Sequence, residues 1–136
     1  MEASSTAAVK TVLYAEHSRL EARFGPFAGW DMPIRYPAGI LAEHHHTRTA
    51  ASLFDTCHMG EFHLEGPNIA EALDGLFARG TADQPVGSCR YSLLLAEDGG
   101  VLDDLILYRM AETVFFIVVN AGTRERDAQT LQARLP

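Results

Sequence analysis

The sequence lacks any apolar run approaching the roughly 20 residues that a membrane-spanning helix requires. Its first residues, MEASSTAAVK, are small and polar, and they contain no apolar segment behind a basic start, so a secretory signal is not expected. A cytoplasmic location is therefore the expectation. Cysteine is scarce as well: Cys57 and Cys89 form no CxxC pair, which excludes a disulfide framework and favours reduced thiols.

Positive charge is also in short supply. The formal net charge is −7, which argues against a nucleic-acid surface, because such a surface needs basic side chains to displace counterions. The GxSxG, P-loop and GxGxxG motifs are all missing, so serine hydrolases and nucleotide-binding proteins gain no support. What remains is an ordinary soluble composition, 47% hydrophobic and 21% charged, in a chain that can enclose one modest core.

The histidines give only a weak case for a metal site. His44, His45 and His46 are consecutive, so on a helix they point about 100° apart and cannot hold one ion together. On a strand, Cys57 and His63 would share one face while His58 lies on the other. No metal is therefore expected, and zinc is the weaker alternative.

The N-terminal third reads as an irregular segment. Tyr14–Phe24 has the character of a short helix that Gly25 and Pro26 stop, and Ile40–Leu53 reads as a second helix. Between them, residues 26–39 carry three prolines and two glycines among aromatic side chains, which predicts an ordered loop.

From residue 57 onward the sequence predicts an α+β unit, an antiparallel sheet with packed helices in the order strand, helix, three strands, helix. The segments are given by the apolar patterns and the turns between them: Met59–Leu64, Asn68–Ala78, Tyr91–Leu95, Val101–Tyr108, Val114–Val119 and Arg124–Leu135. Val114–Val119 is continuously apolar, which predicts burial on both faces. Two parts follow, residues 1–56 and residues 57–136.

Two adjacent aspartates stand out in the strand VLDDLILY. Asp104 shares a face with Leu102 and Ile106, while Asp103 shares the other face with Val101 and Leu105. Because an unpaired buried charge is costly, one of the two must meet a donor, a cation or a ligand. It is either a structural carboxylate bonded to backbone N–H groups or an acid, base or ligand anchor. Asn120, at the end of the last strand, either caps the following helix or contacts a ligand.

Four segments, in this order, resemble the T-protein family of the glycine cleavage system, the aminomethyltransferases. They are Pro26–Pro33 (PFAGWDMP), Leu53–Glu61 (LFDTCHMGE), Tyr91–Tyr108 (YSLLLAEDGGVLDDLILY) and Val118–Ala121 (VVNA). The resemblance extends over nearly the whole chain after the first ten residues, but only to the N-terminal part of a family member. It implies that residues 1–56 are one segment of a discontinuous folate-binding domain whose remainder is absent here.

The resemblance implies transfer of an aminomethyl group from the lipoyl arm of H-protein to tetrahydrofolate, giving 5,10-methylenetetrahydrofolate and ammonia. It implies that Asp104 is the catalytic acidic residue, facing inward against the pterin, and that Met59, Tyr91, Asp104 and Asn120 contact the folate. The alternative is a non-catalytic folate-binding module of the same superfamily. This sequence departs from the family at Cys57, at His63 and at residues 78–80 (ARG), where Arg79 is a candidate for attracting the glutamate tail of folate.

Overall fold

A computed structural model describes residues 8–136 of the chain. The chain divides into two compact units, the first ending at His58 and the second beginning at Met59. Helices and largely antiparallel sheets occur together, so the predicted α+β class is confirmed. Across residues 8–136, no helix combines the length and apolar character needed to cross a membrane.

The first unit contains a three-stranded sheet and two helices. Its elements are β1 (Val9–Lys10), α1 (Tyr14–Arg19), β2 (Arg23–Phe27), β3 (Trp30–Arg35) and α2 (Ile40–Thr49). The strand order is β1-β3-β2, in which β1 runs parallel to β3 and β2 runs antiparallel to it. Both predicted helices are present, and each ends several residues before its predicted boundary.

The prediction of a loop over residues 26–39 was wrong, because β2 and β3 form a hairpin there. Its two-residue turn is Ala28-Gly29, with φ of 48° and 83°, the left-handed pair that suits the twist of a hairpin. The prolines are tolerated because each has a neighbour on one side only. Pro26 lies in the edge strand β2, and Pro33 lies in β3 beyond the two residues that β1 covers.

The second unit follows the predicted order of strand, helix, three strands, helix. Its elements are β4 (Gly60–Glu65), α3 (Ile69–Asp74), β5 (Cys89–Leu95), β6 (Val101–Ala111), β7 (Val114–Val119) and α4 (Arg124–Arg134). All strand pairs are antiparallel, in the order β4-β7-β6-β5. Because β7 pairs with β6 on one side and with β4 on the other, this most apolar strand lies in the interior of the sheet.

One face of this sheet carries the core. Buried side chains from α3, α4 and the strands form one cluster, whose members are Ile69, Ala70, Leu73, Leu76, Phe77, Leu94, Leu105, Leu107, Phe115, Ile117, Val119 and Leu131. The other face is more open: on β7, Val114, Phe116 and Val118 are only half-buried. The predicted burial of β7 on both faces was therefore wrong, since only alternate residues are fully enclosed.

Gly60 allows β4 to approach the start of α4 closely. A Cβ atom at this position would lie 2.6 Å from Val119 Cγ2 and 2.8 Å from Arg124 Cβ, which is closer than such atoms pack. Gly66, just beyond the same strand, has no atom within 4 Å of the equivalent position. Only the first of these two glycines is required for packing.

We predict that Gly60→Ala lowers the free energy of unfolding by about 1–3 kcal/mol, because the added methyl group forces Val119 and α4 to shift. The matched control Gly66→Ala should change it by less than about 0.5 kcal/mol. Urea unfolding followed by circular dichroism measures both values. Equal losses in the two variants would show that the close approach at Gly60 is unimportant.

Candidate functional site

The two aspartates of β6 point to opposite faces of the sheet. Asp103 is 6% exposed and lies on the core face with Leu105 and Leu107, whereas Asp104 is exposed and lies on the open face. The prediction that Asp104 faces inward was therefore wrong. The predicted division of residues between the two faces is correct, but the face with Asp103 is the one that α3 and α4 cover.

Asp103 is the aspartate that meets buried donors. Its carboxylate accepts hydrogen bonds from the Asn120 backbone N–H at 3.2 Å, from Asn120 Nδ2 at 2.9 Å and from Thr123 Oγ1 at 2.7 Å. Burial alone would raise the pKa of Asp103, but these hydrogen bonds outweigh it and lower the pKa. Asp103 is thus an ionised structural carboxylate that joins β6 to the segment after β7.

Asn120 links the buried aspartate to the exposed one. Its Nδ2 also lies 3.0 Å from Asp104 Oδ1 and 3.0 Å from the Asp104 carbonyl oxygen. The residue at the N-cap of α4 is Thr123, and the Asn120 side chain donates to β6 instead of capping the helix. The capping alternative for Asn120 is therefore wrong, which leaves its amide beside the exposed carboxylate.

Tyr91 completes a group of three polar side chains on the open face. Its hydroxyl donates a long hydrogen bond of 3.3 Å to Asp104 Oδ2. In the pairing of β5 with β6, Leu93 lies opposite Asp104 and Tyr91 lies opposite Ile106, so Tyr91 reaches Asp104 diagonally across the two strands. The ring is 58% exposed. Burial and the nearby Asp104 carboxylate raise the pKa of the phenol. Asp104 thus has one oxygen beside Tyr91 and the other beside Asn120.

Met59 lies at the same end of the sheet. It directly precedes Gly60, which pairs with Val119, the residue before Asn120, and its side chain is half-buried. The structure therefore brings Tyr91, Asp104 and Asn120 into hydrogen-bonding contact and places Met59 near Asn120 along the strand register. The roles assigned to these four residues stay predictions.

Apolar side chains surround the polar group on the open face. The strand registers place residues from β5, β6 and β7 on that face beside Asp104, namely Leu93, Ile106, Tyr108, Phe116 and Val118. They are half-buried, so each presents part of its surface. A flat apolar surface with one carboxylate, one amide and one phenol suits a planar, polar heterocycle.

The segment that departs from the family is tied to the edge of the sheet. Ala78 N–H donates to the Leu93 carbonyl at 2.9 Å, and Arg79 N–H donates to Ser92 Oγ at 2.9 Å. Asp74 accepts from the backbone of Thr81 at 2.7 Å. These hydrogen bonds show that residues 78–80 are ordered against β5, and the proposed attraction of Arg79 for a glutamate tail stays a prediction.

The first unit has a buried polar cluster of its own that sequence patterns did not indicate. His17 Nε2 lies 2.8 Å from Asp55 Oδ2, and its Nδ1 lies 2.7 Å from the Tyr36 hydroxyl. Burial would raise the pKa of Asp55, but hydrogen bonds, the Cys57 backbone N–H first among them, lower it. With both ring nitrogens occupied, His17 serves to join α1 to the segment that precedes the second unit.

The described residues 8–136 contain no group of three or more His, Cys, Asp or Glu side chains placed to hold a metal ion. His58 contacts Phe27 edge-on, with ring centroids 5.6 Å apart. His63 is exposed on β4.

The sequence and the fold have close relatives. Residues 13–136 match the family described as the GCVT N-terminal domain. This chain belongs to that family. The aminomethyltransferases of Chlorobium luteolum and Rubrobacter xylanophilus are 45% and 48% identical to this chain over 90% and 87% of its length. The crystal structure of glycine cleavage system aminomethyltransferase T from Bartonella henselae matches with a TM-score of 0.91 and 45% identity over 94% of the chain.

The matches extend over only part of each relative. The chain spans 33% of the Chlorobium luteolum protein, 31% of the Rubrobacter xylanophilus protein and 36% of the Bartonella henselae chain. The family assignment expected from the four motifs is thus confirmed. For this chain, the activity of a complete aminomethyltransferase is a proposal.

We predict that Asp104→Asn lowers the pKa of the Tyr91 phenol towards its ordinary value, because the nearby negative charge that disfavours the phenolate is removed. NMR titration of the tyrosine ring carbons at alkaline pH measures this value. Asp98→Asn, at a carboxylate in the β5-β6 turn, is the control and should leave it unchanged. An unaltered Tyr91 pKa in Asp104→Asn would show that the two groups do not interact in solution.

Proposed function

We propose that this chain provides folate-contacting residues of an aminomethyltransferase of the glycine cleavage system. The reaction passes an aminomethyl group from the lipoyl arm of H-protein to tetrahydrofolate and yields 5,10-methylenetetrahydrofolate and ammonia. Family membership supports the reaction class, and the single observation that supports the site is the contact of Asp104 with Tyr91 and Asn120 on an open apolar face.

The open face fits a pterin in three respects. Its half-buried apolar side chains offer a flat surface for a planar ring, and the exposed ring of Tyr91 extends that surface. The Asp104 carboxylate is exposed, so its remaining lone pairs are available to accept hydrogen bonds from the N–H groups of a heterocycle. When bound, tetrahydrofolate supplies the nitrogen atoms that take up the one-carbon unit.

The side chains of this chain have separate roles in the proposal. Asp104 orients the ligand through its carboxylate and can hold a proton there while ammonia leaves. Tyr91 and Asn120 each donate to one oxygen of Asp104, which fixes the orientation of the carboxylate. Met59, next to Asn120 along the register, contributes apolar contact. Asp104 is the catalytic residue, and the other three bind and orient.

A chimeric enzyme tests this proposal. Residues 13–136 of this chain would replace the matching part of the Chlorobium luteolum aminomethyltransferase, and formation of 5,10-methylenetetrahydrofolate from aminomethyl-loaded H-protein would be measured. We predict turnover within about tenfold of that relative, and a loss of roughly 10²–10⁴-fold in Asp104→Asn, the range for removal of a general acid or base. Glu97→Gln, at an exposed carboxylate in the β5-β6 turn, is the matched control and should retain full activity.

Equilibrium binding of tetrahydrofolate to the same chimera separates the two candidate functions. Tight binding that persists in Asp104→Asn, with no product in either form, would favour the non-catalytic folate-binding module. A folded chimera that neither binds tetrahydrofolate nor turns over would contradict the proposal. Circular dichroism establishes that each variant is folded.

A further inference from the structure

Asp127 is a buried acid that the proposed reaction does not use. It lies on α4 one turn before Leu131, and both residues are on the buried face of the helix. Asp127 is 0% exposed, and neither of its carboxyl oxygens receives a hydrogen bond among the described residues. The Thr123 hydroxyl lies close enough to lower the pKa of Asp127, but its single proton is directed at Asp103 Oδ2, 2.7 Å away. A buried carboxylate without donors is very unfavourable, so this side chain is expected to keep its proton to a higher pH than an exposed aspartate does.

Asp103 of β6 is the candidate acceptor for that proton. Both residues lie beside Thr123: the Thr123 hydroxyl donates to Asp103 Oδ2 at 2.7 Å, and the Asp127 backbone N–H donates to the Thr123 carbonyl at 2.9 Å. Two negative charges placed together in such a buried site are unfavourable. Asp103 already receives donors from Asn120 and Thr123, so it is the ionised member of the pair. Asp127, which lacks donors of its own, is the protonated member.

The orientation of the Asn120 amide depends on this arrangement. Carboxylate oxygens only accept hydrogen bonds, so the nitrogen of the amide must face Asp103 Oδ1 and Asp104 Oδ1. The amide oxygen is thereby directed away from both carboxylates. The Asp103 carboxylate in turn keeps its position through the donors that surround it.

We propose that Asp127 is a positioning residue for the candidate site: as a neutral acid it donates its proton to Asp103, and the Asp103 carboxylate then holds the Asn120 amide against Asp104. The proposal deepens the proposed function and rests on it where it concerns ligand binding, because Asn120 and Asp104 are the residues assigned to folate. The arrangement of the four side chains can be tested without any ligand.

Ionisation of Asp127 is the event that would disturb the arrangement. Burial, with the Asp103 carboxylate adding to it, raises the pKa of Asp127 to about 6. The titratable and charged groups that act on it are Asp103 from β6 and Arg126 of its own helix, whose Nε is 3.9 Å from Asp127 Oδ1. Above the pKa of Asp127, two like charges meet at the position that orients Asn120.

NMR spectroscopy of the ligand-free chain between pH 4 and pH 8 tests the proposal directly. We expect the Asp127 carboxyl carbon to titrate near pH 6, and the Asn120 side-chain amide to shift with the same midpoint. Asp127→Asn keeps a donor towards Asp103 without a titrating proton, so its Asn120 amide should stay at the low-pH position at every pH. Asp98→Asn, in the exposed β5-β6 turn, is the control and should behave like the unaltered chain.

Two results would overturn the proposal. One is an Asp127 carboxyl signal that is already that of a carboxylate at pH 4.5, and the other is an Asn120 amide that ignores the titration of Asp127. Asp127→Leu removes the donor altogether and should release the Asn120 amide from its low-pH position. Because that variant has a bulkier side chain, Asp127→Asn carries the decision if Asp127→Leu fails to fold.

The chimera links this positioning role to folate. Because the ligand is proposed to require the ordered Asn120, its affinity should fall on the order of tenfold between pH 5.5 and pH 7.5, and less in Asp127→Asn. Equal slopes in the two proteins would exclude a positioning role in binding. The proposed function can fail separately: if the ligand-free NMR result is as expected but tetrahydrofolate does not bind, the folate assignment is wrong and the Asp127–Asp103–Asn120 arrangement remains.

Discussion

The second unit depends on the buried carboxylate of Asp103. Its three hydrogen bonds from the Asn120–Thr123 segment connect the middle strand β6 to the turn between β7 and α4, where no strand pairing exists to do so. A buried carboxylate costs several kcal/mol unless donors surround it, so the turn and the aspartate are required together. This constraint places α4 over the core face and leaves Asn120 at the edge of the open face.

The two adjacent aspartates have different roles because neighbouring strand residues point to opposite faces. Asp103 is enclosed by donors and organises the structure, whereas Asp104 is displayed beside Tyr91 and Asn120. Asn120 contacts both carboxylates, so the position of the displayed group depends on the buried one. A site built in this way has its polar groups fixed by the scaffold before any ligand arrives.

The sequence was a good guide wherever one pattern dominated. The apolar runs and glycine turn of β5, β6 and β7 predicted those strands with end points within three residues, and the four motifs predicted the family. The hairpin of β2 and β3 was missed because Pro26 and Pro33 suggest a loop. Only the strand pairing shows that neither proline lies where the sheet requires a backbone N–H group on both sides. The burial of Asp104 was predicted wrongly because both faces of β6 carry apolar residues in the sequence. The packing of α3 and α4 determines which of the two faces is buried.

The sequence was less informative about contacts between distant residues. One sequence feature indicates that Asp127 is unusual: it is a charged residue one turn before Leu131, on the face of α4 that packs against the core. Its neighbour Asp103 lies 24 positions earlier in the sequence, and only the fold brings the two residues together. The contact of Tyr91 with Asp104 likewise depends on the register of β5 against β6. This chain spans about a third of the length of the relatives named above.

A double-mutant cycle on the free energy of unfolding tests the central claim most directly. It compares Asp103→Ala, Asn120→Ala and the double variant in the same chain at pH 6. Because the two side chains are joined by hydrogen bonds to a buried charge, the account predicts a coupling free energy of about 1–3 kcal/mol. A coupling indistinguishable from zero would contradict it, since the two residues would then be independent and Asp103 would not position Asn120.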